Sequence, residues 1–382
     1  MIETLTVESF KSIQSVTLEL GQVNVFIGAN GSGKSNLLEA LAVLSAAASG
    51  KVDQSMLVWR GCRASSYYRP MFEGFSDDVQ TRLMAVADGI SYEASLEAPP
   101  SSRLLPWNFQ VEKWRHGNKV LLNRPEIDGK HTDSEVGLAA LRLAETSAAD
   151  PASIFLKSLA GYGIYMADTS ILLGWSKDPQ EREPVGLRGG RLSKAMENIL
   201  DASLKSSVEA EFRACMNWFE DFGLYGESSE VFDVAFVDRY FRAEKGFRYI
   251  LTPNDVNEGA LYLAFLAILG LHPLAPRLLA IENVDQGLNP LLAKRLITTL
   301  TERILSATPK RQVFLTTHNP LVLDGLPLGD DRVRLFTVDR DNKGRTVTQR
   351  IDLEMALKAR PNDEWTLSRM WVNGLIGGVP NV

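Results

Sequence analysis

Apolar and polar residues alternate through Glu3–Glu8 and again through Ser15–Leu20, the period of half-buried strands, and the mostly apolar run Val23–Ile27 reads as a buried one. The period then changes. From Asn36 to Ala48, Leu37, Leu38, Ala40, Leu41 and Leu44 recur at helical spacing, so a glycine-rich loop lies where a strand passes into a helix. Between Gly50 and Pro253 the pattern is more broken. Short alternating strands are expected at Ile90–Glu97 and Asn108–Trp114, a helical patch at Ser203–Phe222, and a hairpin from Val231–Arg242 and Phe247–Leu251 turning at 243–246. The last third alternates again: a helix Glu258–Leu271, a strand Arg277–Ile281, a helix Pro290–Leu305, a strand Gln312–Thr317 and a helix from Pro320. Such alternation predicts a largely parallel sheet covered by helices, shared with the N-terminal strand and interrupted by the middle section. No a/d heptad persists, so a long coiled coil is not expected.

Composition changes this picture little. The 382 residues are 45% hydrophobic and 23% charged with a formal charge of −6, as in an ordinary globular chain, and the length predicts two lobes or a sizeable insertion. Cys62 and Cys215 match no zinc spacing and read as small apolar residues, as His116, His131 and His272 read as structurally neutral. With no apolar run of bilayer length and no leader pattern, a cytoplasmic location without membrane insertion is expected.

The chemistry begins at residues 28–35, Gly28-Ala29-Asn30-Gly31-Ser32-Gly33-Lys34-Ser35, followed by Asn36. This is a complete G-x-x-x-x-G-K-S phosphate loop in the strand–helix context such a loop requires. Its glycines let successive N–H groups curl round an anion at a helix N-terminus. Lys34 would reach the β- and γ-phosphates of ATP, and the Ser35 hydroxyl would ligate Mg²⁺. Downstream, the apolar strand Leu278–Ile281 ends in Glu282, which would sit beside that metal ion. Asn283, Asp285 and Gly287-Leu288-Asn289-Pro290 follow. A second apolar strand delivers His318 in Thr316-Thr317-His318-Asn319-Pro320, at the strand end where α/β sheets gather ligands. Asn257-Glu258-Gly259 opens an apolar helix, with Asn257 as its cap and Gly259 permitting close approach to an anion.

Taken in this order, the motifs resemble the ABC-type ATPase heads of the SMC, RecF and OLD superfamily, especially small prokaryotic ATPases without coiled coils. Ser9-Phe10-Lys11-Ser12-Ile13 and the closing run from Met370 to Pro380 resemble the same group. The resemblance implies an α/β fold: an ABC-type P-loop head with two lobes and a mixed α+β insertion. Its ATPase parts would be residues 1–50 and 251–382, around a middle lobe at 51–250. It also implies a homodimer, or a higher oligomer, in which Asn257-Glu258-Gly259 of one subunit closes on the ATP held by the P-loop of the other. Two departures stand out. Asn283 occupies the position where relatives carry a catalytic carboxylate, and an amide orients water but takes no proton. Asn257 replaces the usual signature serine. Hydrolysis by Glu282, Asn283 and His318 is therefore expected to be weak, unless Asp285 substitutes.

For DNA, Trp59-Arg60-Gly61-Cys62-Arg63 with Tyr67-Tyr68-Arg69, and Arg188, Arg191, Arg239, Arg242, Lys245 and Arg248, read either as a backbone-tracking surface or as solvated charge around core aromatics. The leading expectation is an ATP-dependent switch in DNA surveillance or anti-phage defence that controls a separate effector such as a nuclease. A RecF-like repair ATPase is the alternative, and a transporter cassette fits least.

Overall fold

A computed structural model describes residues 1–63, 68, 72, 80–99, 105–124, 133–201, 204–226, 233–242, 248–359 and 365–378. Among these, the strands are β1 (Thr4–Phe10), β2 (Ile13–Glu19), β3 (Val23–Ile27), β4 (Thr81–Ala87), β5 (Ile90–Glu97), β6 (Asn108–His116), β7 (Lys119–Arg124), β8 (Ile164–Tyr165), β9 (Phe219–Tyr225), β10 (Asp233–Arg242), β11 (Arg248–Leu251), β12 (Leu278–Ile281), β13 (Gln312–Thr317), β14 (Val333–Arg340) and β15 (Thr346–Ile351). They form three sheets, ordered β2-β1-β4-β5-β6-β7, β11-β10-β9 and β15-β14-β3-β13-β12-β8. The first two are antiparallel. The third is parallel except for its edge strand β15, as the alternating elements predict.

The parallel sheet separates two hydrophobic cores, and the two-residue period of its strands assigns each side chain to one of them. On β3, Val23, Val25 and Ile27 join one core while Phe26 joins the other. Val313 and Leu315 of β13 part from Phe314, and Val333 and Leu335 of β14 from Phe336, in the same way. The first core packs the sheet against the helices Glu258–Leu271 and Pro290–Ser306, the helices Leu192–Asp201 and Lys205–Cys215, and the sheet β9–β11. The second encloses the helix Lys34–Ala48 between the parallel sheet and the sheet of β1, β2 and β4–β7, which explains why that helix is apolar on nearly every side.

Middle-section strands thus complete both sheets: β4 pairs with β1, and β8 with β12. Buried arginines tie the helix ends to this frame. Arg60 donates to Ala160 O at 3.2 Å and Met56 O at 2.9 Å, and Arg311 donates to Gly270 O and His272 O at 2.6 Å each. The guanidinium forks satisfy carbonyls that a helix C-terminus leaves unpaired.

One element departs from the sequence expectation. The patch 203–222 is not a single helix: the helix Lys205–Cys215 ends, and β9 starts at Phe219. Phe219 and Phe222 pack edge-to-face against Phe212 at 5.2 and 5.5 Å and enter the core from a strand paired with β10, so tertiary pairing overrides the local period. The turn 243–246, His131, Val379 and Pro380 lie outside the described residues.

Phe26 stacks on Phe336 at 5.2 Å and on Phe314 at 6.3 Å, at the centre of the second core. Phe26→Ala is expected to cost about 3–5 kcal/mol, seen as a lower urea midpoint in chemical unfolding, whereas an unchanged midpoint would contradict this placement.

Candidate functional site

Parallel register brings the motifs together. Ile27 pairs with Thr317, so Gly28 and His318 leave neighbouring strands side by side, and Ile281 pairs with Leu315, which sets Glu282 beside Thr316. Thr337 of β14 also pairs with Ile27, so the hairpin β14–β15 backs the loop. Its contact is close. A Cβ at Gly28 would meet Val338 O at 2.1 Å, and one at Gly33, whose φ is +112°, would meet Thr346 Oγ1 at 2.1 Å. Only glycine fits either position.

The loop and its surroundings enclose a cavity of about 470 Å³ lined by Asn30, Gly31, Gly33, Lys34, Ser35 and Asn36, and by Glu282, Asn283, Thr316 and His318. Lys34 Nζ donates to Gly28 O at 2.8 Å and Ala29 O at 2.9 Å. Burial lowers its pKa to about 8, and the Glu282 charge partly opposes the shift. Ser35 Oγ donates directly to Glu282 Oε1, so the two oxygens expected to flank Mg²⁺ already face each other. They are hard oxygen donors suited to an octahedral ion completed by phosphate and water. Ser32 Oγ is buried without a partner in the loop. The glycine cradle, that unsatisfied hydroxyl and the Ser35–Glu282 pair therefore fit a Mg²⁺-bound triphosphate.

Asn283 has φ +53°, its N–H donates to Thr316 Oγ1 at 2.9 Å and its carbonyl accepts from Tyr262 OH at 3.1 Å. Asn283 lines the cavity; Asp285 does not, and Thr317 Oγ1 donates to Asp285 Oδ1 at 2.6 Å. His318 is solvent-exposed, yet the protein packed beside it and then the Lys34 charge hold its pKa below the usual histidine value. Asn257 caps its helix, Oδ1 accepting from Ala260 N at 3.0 Å. Glu258 accepts from Thr169 Oγ1 at 2.9 Å, and a Cβ at Gly259 would lie 3.1 Å from Asn257 Oδ1. These three residues do not line the cavity.

Four lining residues carry no motif label. Lys11 bonds the buried Glu39 of the P-loop helix, which Arg63 Nε also approaches at 3.1 Å. Asn36 Nδ2 donates to Ser12 Oγ at 2.7 Å, and Arg340 Nε donates to Gly31 O at 2.9 Å. The segment Ser9–Ile13 signals the first pair only through family resemblance. Nothing local marks Arg340, which reaches the loop through sheet topology.

The basic segment near residue 60 reads differently in the fold. Arg60 is 3% exposed and bonds helix carbonyls, and Cys62 and Tyr68 are buried, so these three form no backbone-tracking surface, whereas Trp59 is exposed. Arg63 belongs to the pocket. Arg188, Arg191 and Arg248 face Asp168, Glu183 and Glu220, and Arg239 donates to Phe219 O at 3.0 Å. Tyr67, Arg69, Lys245 and the Arg242 side chain lie outside the described residues.

The chain has the fold of an SMC-type ATPase head and places a complete P-loop in its pocket. Two family models match: one described as "AAA domain, putative AbiEii toxin, Type IV TA system" over residues 157–324, and one described as "AAA ATPase domain" over residues 1–81. Among solved structures, an SMC head bound to the C-winged helix domain of ScpA covers 93% of this chain and 99% of its own, with a TM-score of 0.55 and 14% identity, which shows the fold. The SMC head domain from Thermotoga maritima covers 92% of this chain and 99% of its own, at TM-score 0.47 and 15% identity. An uncharacterized protein of Methanocaldococcus jannaschii, MJECL10, is 42% identical over 67 residues, 16% of this chain and 31% of that relative's length. The family models support an ATPase of the AAA kind, and the first of these structures shows an SMC-head fold. No described helix is long and apolar enough to cross a membrane.

A lysine of pKa about 8 loses its charge just above neutrality, and phosphate binding favours the charged form. Affinity for ATP–Mg²⁺ is therefore expected to fall as pH rises from 7 to 9.5, by up to about tenfold per unit above the Lys34 pKa, with proton uptake on binding seen by calorimetry in several buffers. Lys34→Ala should bind weakly and lose this dependence. A flat wild-type profile would contradict the assignment.

Proposed function

We propose that two copies of this chain close head to tail on ATP, and that the closed pair is a slowly hydrolysing switch. It acts in DNA surveillance or anti-phage defence and controls a separate effector such as a nuclease. The half-built pocket carries this reading: the P-loop, Glu282 and His318 share one cavity, while Asn257, Glu258 and Gly259 open a helix outside it. That helix N-terminus presents partial positive charge, which the triphosphate of a second copy would complement. The toxin–antitoxin description of the matched family model supports a defence role.

Within each half-site, Lys34 and the loop N–H groups would hold the β- and γ-phosphates. Ser35 and Glu282 would hold Mg²⁺, which neutralises phosphate charge when bound. Asn283 would orient a water without taking its proton. His318, beside Gly28, would register the γ-phosphate. Asp285 would have to leave Thr317 to act as a base.

Sedimentation velocity with and without ATP–Mg²⁺ tests the dimer: ATP should convert monomer to dimer in wild type but not in Gly259→Asp, which keeps its own P-loop. ATP-loaded wild type that stays monomeric would sink the reading. Asn283→Glu should raise steady-state phosphate release on the order of 10²-fold by restoring general-base assistance. Rapid wild-type hydrolysis that persists in Asp285→Ala would refute the slow-switch part. Strong stimulation by gapped DNA would favour the RecF-like alternative, and DNA cleavage by the chain alone would remove the need for an effector.

A further inference from the structure

The described residues that line the triphosphate pocket are all polar or glycine. Such a lining suits phosphate and Mg²⁺ but gives a purine no apolar side chain to lie on. The segment beside Asn257–Gly259 carries one. Trp175 is 71% exposed, far more than is usual for a residue with so much apolar area. It is also held in place: Nε1 donates to Asn254 Oδ1 at 2.9 Å, and its backbone N–H donates to Ser170 O at 2.8 Å. The same segment is tied to the signature turn through the bond from Thr169 to Glu258. A fixed, solvent-facing indole therefore stands beside the helix that would close on a second copy's ATP.

The other flank of the turn is apolar too. Leu291, 74% exposed, is the second residue of the helix Pro290–Ser306, close after Gly287, whose carbonyl lies 3.5 Å from a Cβ built at Gly259.

Resting on the dimer reading above, we infer that Trp175 is a specificity residue acting between subunits: the indole of one copy stacks on the base of the purine nucleoside triphosphate in the other copy's P-loop. Stacking on an aromatic ring commonly strengthens binding by an order of magnitude per base, more for a purine than for a pyrimidine.

The test measures the nucleotide concentration giving half-maximal dimer in sedimentation, with ATP and with UTP, for wild-type full-length protein, Trp175→Ala and Trp175→Phe. Wild type should need about tenfold less ATP than UTP; Trp175→Ala should lose this preference, and Trp175→Phe should keep most of it. ATP binding to dilute monomer, read by equilibrium dialysis, should be the same in all three. An ATP preference that survives Trp175→Ala, or none in wild type, overturns the inference while leaving the dimer intact. A preference removed instead by Arg63→Ala assigns the base to the pocket's own subunit and overturns it as well. Wild type that never dimerises with ATP marks failure of the dimer reading itself.

Discussion

Everything in the nucleotide pocket depends on the parallel register of β3, β13 and β12. Strand pairing fixes which residues leave the sheet together, and Gly28, Glu282 and His318 become neighbours because Ile27 meets Thr317 and Ile281 meets Leu315. A slip of one residue would turn Phe26 and Phe314 into the opposite core and move the ends of the strands apart. The two-sided burial of these strands makes such a slip expensive. The apolar alternation that stabilises the sheet is therefore also what aligns Lys34, Ser35 and Glu282.

The legible parts of the chain are those where local pattern and tertiary demand agree. β3, β13 and the helix Glu258–Leu271 have the bounds that their apolar runs predict, because buried parallel strands and a buried helix need unbroken hydrophobicity, and β5 has the bounds that its alternation predicts. Asn257 caps that helix, as its side-chain chemistry suggests. The segment 203–222 was illegible because Phe219 and Phe222 face the core equally well from a helix or a strand, and only pairing with β10 decides. Arg340 and Thr346 were illegible for another reason. They touch the loop through the hairpin β14–β15, more than 300 residues away in sequence, as in the bond from Arg340 to Gly31 O. No spacing rule reaches that far.

The same hairpin explains why the loop tolerates so little change. Thr346 Oγ1 donates to Ser32 O at 3.0 Å and lies 2.6 Å from Ser12 Oγ, which in turn accepts from Asn36. This chain of hydroxyls joins the segment after β1, the loop, and the first turn of its helix. A phosphate loop works by aiming N–H groups at an anion, and aim requires that the backbone be held from behind. Here the C-terminal third supplies that backing while also contributing Glu282 and His318, so neither end of the chain can form the pocket without the other.

Asn283 joins these constraints to the reaction. Its φ of +53° lies in the left-handed region, where asparagine is among the few non-glycine residues found readily and glutamate is less favoured. The conformation is fixed from both sides, by the bond of its N–H to Thr316 Oγ1 and by the Tyr262 hydroxyl on its carbonyl. A glutamate would keep both backbone bonds, at a conformational cost of the order of 1 kcal/mol. That is small beside the several kcal/mol that separate assisted from unassisted water attack. Backbone strain is thus too weak a reason by itself for an amide to stand at this position in place of a carboxylate. In the proposed switch, a demand for slow turnover would account for the asparagine, and the local geometry accommodates it.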